Sequence, residues 1–365
     1  MASLRRVVFE GEMHAVFSPA RHASAPEDHL ASTRRPTAAE IESVRGLSSR
    51  FEAAELRPVS VIRAPSLDRT ADPTGATRIW LAVECLQVTG SFKVRGALVA
   101  MSRLAPGKTV VAASAGNHGI GVACAAAILG VPAKVCVPAS APETKRQKIA
   151  GYGAEIVLVP SNRYDDAEAH AKELARAEGA MFLSPYDDHG VVLGNGVSLG
   201  LEIVEALGGV PEAVLAPFGG GGLATGLAWA LAHEEDREEP PRRVWGVQSE
   251  ASPAMALSLQ EGAACLELAG DDTLAEGLEG GISLDAFDRA RAAIAGVLVV
   301  REARIGAAMV HAERELGLVL EGSAAVVLVP PIHGLPPALA GGDVVCVLTG
   351  RNVDVSRLDN LRRRY

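Results

Sequence analysis

The sequence predicts an α/β protein built on open, mostly parallel sheet, and three observations support this. The first is composition: 48% of the 365 residues are hydrophobic but only 4% are aromatic. That profile suits helices packed on buried parallel strands better than a sandwich of short aromatic-rich strands. The second is rhythm: from about residue 109 onward, short apolar runs alternate with stretches of helical spacing, the pattern of βαβ units. The third is that glycine- and small-residue-rich turns sit where a predicted strand passes into a predicted helix. The modest strand count favours an open sheet over a closed barrel, and the length allows two compact lobes or one large α/β unit.

Taken in order, residues 109–113 read as a buried strand and 119–129 as a helix of small residues. Residues 133–137 form the next strand, 143–150 a helix and 155–159 another strand. In 165–178, polar and apolar residues alternate at the spacing of a surface helix. The rhythm returns with strand 213–217, helix 223–233 and strand 244–247, and again at 344–348. No internal repeat is found. Residues 234–243, with a charge run and two prolines, and 330–342 read as exposed connections and not as domain boundaries.

The net charge of -9 gives no electrostatic attraction to nucleic acid. Arg34-Arg35, Arg242-Arg243 and Arg362-Arg363-Arg364 lack interleaved aromatics and read as solvated surface. Cys85, Cys124, Cys136, Cys265 and Cys346 are scattered, without the spacing of a zinc site or a disulfide framework, so reduced thiols in a cytoplasmic protein are expected. The first thirty-five residues do not form a secretory signal, and no later stretch reads as long and apolar enough to span a membrane. That N-terminal arm, 1–35, leaves open a disordered segment, a partner contact or a start-codon artefact.

Four motifs carry chemistry. In Thr89-Gly90-Ser91-Phe92-Lys93-Val94-Arg95-Gly96-Ala97, a lysine is flanked by glycines that let backbone approach a bulky group. A lysine in such a turn is ordinarily solvated; catalysis requires a partly desolvated, neutral amine able to attack a carbonyl. Ser114-Ala115-Gly116-Asn117-His118-Gly119 places N–H groups and small polar side chains at a helix start, suited to an anion such as a carboxylate, or else to an ordinary turn with an Asn cap. Gly219-Gly220-Gly221-Gly222-Leu223 lets several N–H groups converge on a phosphate at a helix N-terminus. It is neither the GxxxxGK[ST] loop nor the dinucleotide fingerprint, which favours a phosphate not carried by a nucleotide. Leu348-Thr349-Gly350-Arg351-Asn352-Val353-Asp354 follows the last strand and offers Thr349 as a neutral hydrogen-bond partner.

Together and in this order, the motifs resemble the fold-type-II pyridoxal-phosphate enzymes of the tryptophan-synthase-β-like family, in the threonine/serine dehydratase and serine racemase branch. The resemblance runs from about Leu56 to Asp354. Glu84-Cys85-Leu86-Gln87, Pro185-Tyr186-Asp187-Asp188 and Leu320-Glu321-Gly322-Ser323-Ala324-Ala325 add to it. It implies two open, mostly parallel twisted sheets flanked by helices, with the cofactor in the cleft between a larger and a smaller lobe. The larger would comprise 36–105 and 188–365, and the smaller 106–187.

The resemblance also implies roles. Lys93 would bind pyridoxal 5'-phosphate as a Schiff base and act as the Cα base, with Phe92 beside the ring. Asn117 would meet the phenolic oxygen, Gly219, Gly220, Gly221, Gly222 and Leu223 the phosphate, and Thr349 the ring nitrogen. Ser114, Asn117 and His118 would bind the substrate carboxylate. The expected activity is α,β-elimination from a small β-hydroxy amino acid such as L-threonine or L-serine, giving a 2-oxo acid and ammonia, in a homodimer. Racemases of the branch carry a serine acid/base where this chain has Ala115, which cannot move a proton. Gln248 stands where some relatives place an acidic metal ligand, so no metal is expected.

Departures bear on the substrate. The family GQGT reads Gly194-Asn195-Gly196-Val197, and Gly-Gly-Asn reads Gly350-Arg351-Asn352. Arg351 is a candidate contact for a distal carboxylate or phosphate, and Phe218 for a change in the pocket. Alternatives are β- or γ-replacement in the manner of threonine or cysteine synthase, a dehydratase for 3-hydroxyaspartate or phenylserine, and a silent homologue serving as a scaffold. No appended regulatory domain is expected after Asp354.

Overall fold

The structure, a computed structural model, describes residues 11, 13–18, 34–141, 143–268 and 272–365; most of the N-terminal arm, 1–35, lies outside the described residues. Eleven strands among the described residues form two sheets. They are β1 (Met13–Phe17), β2 (Ser60–Arg63), β3 (Thr77–Val83), β4 (Val110–Ala113), β5 (Ala133–Pro138), β6 (Glu155–Val159), β7 (Met181–Phe182), β8 (Ala213–Pro217), β9 (Val244–Ser249), β10 (Gly296–Val300) and β11 (Gly342–Leu348). The seven-stranded sheet runs β1-β10-β9-β8-β11-β3-β2, and the four-stranded sheet β6-β5-β4-β7. The smaller sheet is wholly parallel; the larger is parallel except at its edges, where β1 pairs antiparallel with β10 and β2 with β3. The expected two open, mostly parallel sheets are therefore present.

Central strands are buried on both faces because helices cover both. In β8 and β11, Leu215 and Cys346 enter one core cluster, while Val214, Ala216, Val345 and Val347 enter the other. This is the two-residue alternation of a strand with a core on each side. The strand and helix limits at 143–150, 155–159 and 213–217 fall where the sequence pattern puts them.

Three expectations need correction. Residues 330–342 do not begin as an exposed connection: Pro330 and Pro331 are buried in the short helix Val329–His333, and the Thr70 hydroxyl donates to the Pro331 carbonyl. The continuous helical run His189–Leu207 is long and apolar enough by length and composition to cross a membrane, but 83% of its apolar window is buried inside the protein. It is packed as a core helix. Finally, the arm is not featureless throughout, since β1 adds an edge strand to the large sheet.

The helix Lys93–Met101 carries the motif lysine at its first residue. It is buried almost all round, and Arg95 anchors it. The Arg95 guanidinium makes two hydrogen bonds to Glu84 at 2.8 and 2.9 Å, two to Glu202 at 2.8 and 3.0 Å, and one to the Arg57 carbonyl at 3.0 Å. Burial pushes the Glu84 carboxyl up, while the two carboxylates hold Arg95 firmly protonated against its own desolvation. Such a network fixes geometry more than it adds stability. Asn195 accepts from the Gly96 amide at 2.8 Å, tying the same helix to the π-helical turn Leu193–Val197.

Candidate active site

A cleft of about 1400 Å³ is lined by residues from both sheets. Its functional groups follow the carboxyl ends of parallel strands, where open α/β sheets place ligands: Ser114 after β4, Gly219 after β8 and Thr349 after β11. Phe92, Lys93, Ser114, Asn117, His118, Gly219, Gly220, Gly221, Gly222, Leu223 and Thr349 all line it.

Lys93 is held by two strand ends, with Phe92 N–H donating to the Thr349 carbonyl at 3.1 Å and Glu84 N–H to the Leu348 carbonyl at 3.0 Å. Its ammonium donates to the Pro185 carbonyl at 3.1 Å. Burial lowers its pKa to about 8, against a smaller opposing pull from Glu321. A substantial neutral fraction near neutral pH is what a lysine nucleophile requires.

The helix Gly222–Glu234 opens with Gly221 at φ 79° and no side-chain cap, so its first N–H groups are free of intrahelical partners. Gly220 cannot carry a side chain: a Cβ there would lie 2.2 Å from the Tyr186 ring. Backbone amides at the positive end of a helix suit a phosphate. Thr349 is 3% exposed; its backbone carbonyl accepts from Phe92, and its hydroxyl has no hydrogen-bond partner among the described residues.

The helix Asn117–Leu129 starts two residues earlier than its pattern suggests, with Gly116 as an N-cap lacking a side-chain hydrogen bond. Asn117 is thus inside the helix and is not its cap. Its Nδ2 donates to Glu321 Oε1 at 2.6 Å, and its Oδ1 accepts from Asn352 Nδ2 at 2.7 Å. Glu321 is half-buried in the wall of the cleft, and burial raises its carboxyl pKa to about 7. The Ser114 hydroxyl accepts from the Gly116 amide at 3.0 Å.

His118 needs a refinement of role. Its Nε2 lies 3.0 Å from the Leu183 carbonyl, and burial, reinforced by the Lys93 charge, lowers its pKa to about 3. The ring is neutral and donates to a carbonyl, so the group it offers a carboxylate is its backbone N–H in the first helical turn.

Two expectations about pocket residues are corrected. Arg351 is exposed and does not line the cleft; its backbone N–H donates to the Gly90 carbonyl at 2.9 Å. Phe218 is fully buried outside the cleft lining, beneath the glycine loop: a Cβ at Gly221 would lie 2.7 Å from its ring and one at Gly246 2.6 Å. Gln248 spends its amide on structure, donating to the Phe218 carbonyl and accepting from Met255 and Ala256 at the start of helix Ala254–Glu261. Glu321, Asn352, Pro185 and Tyr186 join the site without a role predicted for any of them. For the first two, the signal lay in their motifs, each a polar residue beside small ones.

The residues present fit pyridoxal phosphate: a half-buried amine for its aldehyde, a capless helix start for its phosphate and, in the cleft wall, a hydroxyl without a protein partner for its ring nitrogen. The family model described as pyridoxal-phosphate dependent enzyme matches residues 55–350. The chain is 39% identical over 287 residues to an L-threonine ammonia-lyase of Geobacter sulfurreducens, covering 77% of this chain and 68% of that protein. The processed threonine deaminase isoform 2 of Solanum lycopersicum superposes with a TM-score of 0.80 at 28% identity, covering 98% of each chain. A threonine deaminase from T.th. gives 0.76 at 31% identity, over 87% of this chain and 99% of that one. On its motifs, its fold and these likenesses, the chain belongs to the fold-type-II pyridoxal-phosphate dependent enzymes, in their threonine/serine dehydratase branch.

Proposed function

We propose that the protein is a pyridoxal-phosphate-dependent ammonia-lyase that converts L-threonine or L-serine to a 2-oxo acid and ammonia. The observation that carries this reading is the convergence of Lys93, the Ser114–Asn117 turn, the glycine loop and Thr349 in one cleft. The threonine-directed activities of the relatives support the substrate class. Arg351 lies outside the cleft lining, so it does not argue for an acidic substrate.

When bound, the cofactor supplies an electron-withdrawing ring that spreads the charge released at Cα. The chain supplies the rest. Lys93 would hold the cofactor through its amine, and that amine, desolvated and partly neutral, is the group that would take the Cα proton. The N–H groups of the first turn of helix Asn117–Leu129, with Ser114, bind and orient the substrate carboxylate. Gly219 to Gly222 and Leu223 would hold the phosphate. The Thr349 hydroxyl would meet the ring nitrogen and, unlike a carboxylate, would not hold a proton there, which would favour elimination over transamination. Ala115 provides no acid on the opposite face, so racemisation is not supported.

The test is a screen of β-hydroxy amino acids for 2-oxo acid and ammonia release, with Lys93→Ala alongside. Turnover of threonine or serine by the wild type, and loss of at least about a thousandfold in the variant, are expected from removal of an essential base and nucleophile. Equal rates in the two proteins would defeat the mechanism. We propose further that two copies associate, on family resemblance, and sedimentation at micromolar concentration reads this directly.

A further inference from the structure

The amide of Asn117 has only one orientation compatible with its neighbours, and the residue that decides this lies elsewhere in the chain. Asn352 Nδ2 donates at 3.0 Å to the backbone carbonyl of Thr89, an atom that can only accept. Its Oδ1 faces the Lys148 ammonium at 3.2 Å, a group that can only donate. The Asn352 amide is therefore pinned from both ends. Its Nδ2 also reaches Asn117 at 2.7 Å, so Asn117 must present Oδ1 there and turn its own Nδ2 to Glu321 Oε1 at 2.6 Å. Amide orientation is a question of network consistency, and here the backbone carbonyl settles the whole chain of bonds.

Steric features enforce the same arrangement. A Cβ at Gly350 would fall 2.3 Å from Glu321 Oε1 and 3.2 Å from Asn117 Nδ2, so only glycine leaves room for the two groups to meet. The Glu321 backbone N–H donates to the Gly350 carbonyl at 3.1 Å, tying the carboxylate to the same turn. Asn117 thus sits between a donor-side anchor and an acceptor-side anchor.

We infer that Asn352 and Glu321 are positioning residues of the reaction, which fix the polarity of Asn117 so that its second Nδ2–H, and not its Oδ1, faces the cofactor position. This deepens the functional reading above and rests on it. An ionised phenolic oxygen at that position is stabilised by an N–H and repelled by a carbonyl oxygen.

The polarity can be inverted with little change of volume. In Asn352→Asp, position 352 loses its donors; Asn117 then turns Nδ2 toward it and Oδ1 toward Glu321. Adding Glu321→Gln places a donor opposite that oxygen and restores complementary bonds to Asn117 in the reversed sense, the Thr89 carbonyl losing its donor in both variants. Full-length wild type, Asn352→Asp and Asn352→Asp/Glu321→Gln would be titrated with pyridoxal phosphate. Its dissociation constant and the absorbance maximum of the bound form would be followed, with the Tm of each cofactor-free protein.

In the single variant, affinity is expected to fall about tenfold or more, the loss for one charge-assisted hydrogen bond, with a shifted absorbance maximum and a lowered Tm. In the double variant, the Tm rises part of the way back from that of the single variant while affinity and absorbance do not. Wild-type affinity and absorbance in Asn352→Asp would overturn the inference while leaving the proposed function standing. So would recovery of affinity together with Tm in the double variant, which marks a purely structural role. Failure of the wild type to bind pyridoxal phosphate would overturn both.

Discussion

Burial sets the chemistry of three side chains in the cleft, each in the direction that favours its neutral form. Lys93 is brought down to about 8, His118 down to about 3 and Glu321 up to about 7. Glu321 has a consequence for stability. Below the ordinary carboxylate range, both folded and unfolded chains hold its proton. As pH rises toward 7, the unfolded chain releases it while the folded chain keeps it, so stability falls across that window and the loss is complete above about 7. Glu321→Gln has no such proton. Urea denaturation of the cofactor-free proteins at pH 5 and pH 8 is expected to show a pH-dependent loss greater in wild type than in the variant by on the order of 3 kcal/mol. Parallel pH profiles would show that Glu321 is not the group responsible. Lys93 was legible from its motif, but its desolvation was not, because the groups that enclose it, Pro185 and Glu321 among them, are far away in sequence.

Among the elements, the glycine loop is the most exacting. Its spacing marks a phosphate site, and the fold adds the reason that one of its glycines is irreplaceable: the Tyr186 ring fills the space a Cβ at 220 would need. Gly220→Ala is expected to weaken pyridoxal phosphate binding by about tenfold or more and to destabilise the protein by about 1–3 kcal/mol, the range for overpacking a filled site. Fluorescence titration and chemical denaturation measure the two effects, and an unchanged affinity would place the phosphate elsewhere. Periodicity makes legible those elements that have one exposed and one buried side, such as the helix Tyr164–Glu178, or that form short apolar runs between turns, such as β8. It says little about helix Lys93–Met101, which is buried on every side and has no polar stripe. β1 also escapes it, because its strand conformation depends on pairing with β10, almost three hundred residues away.

At the scale of the whole molecule, the cofactor site joins two sheets. Helix Asn117–Leu129 and the helix that begins at Lys93 pack with the small sheet, while the glycine loop and Thr349 follow strands of the large one. A ligand that bridges them and binds only the folded chain stabilises it by mass action, by about 2.7 kcal/mol at a hundredfold excess over its dissociation constant. Wild type is therefore expected to melt several degrees higher with pyridoxal phosphate than without it, and Lys93→Ala to show a smaller rise at the same concentration. Calorimetry with and without cofactor reads both, and an equal rise in the two proteins would remove Lys93 from the binding site.

The sequence by itself determined the α/β class, the order of the chemical motifs and, through their resemblance to a known family, the lysine, the asparagine and the glycine loop. Those features are local: each is a short run of residue types whose backbone and side-chain chemistry is carried wherever the run is placed. Tertiary structure alone decided that Arg351 lies outside the cleft, that His118 is neutral and engaged with Leu183, and that Asn117 is oriented by Asn352 and Glu321. These depend on which atoms, more than sixty and in places more than two hundred residues apart, come within 3 Å of one another. Lys93 is a surface-type residue in its motif and a desolvated amine only in the fold, since desolvation is a property of its surroundings.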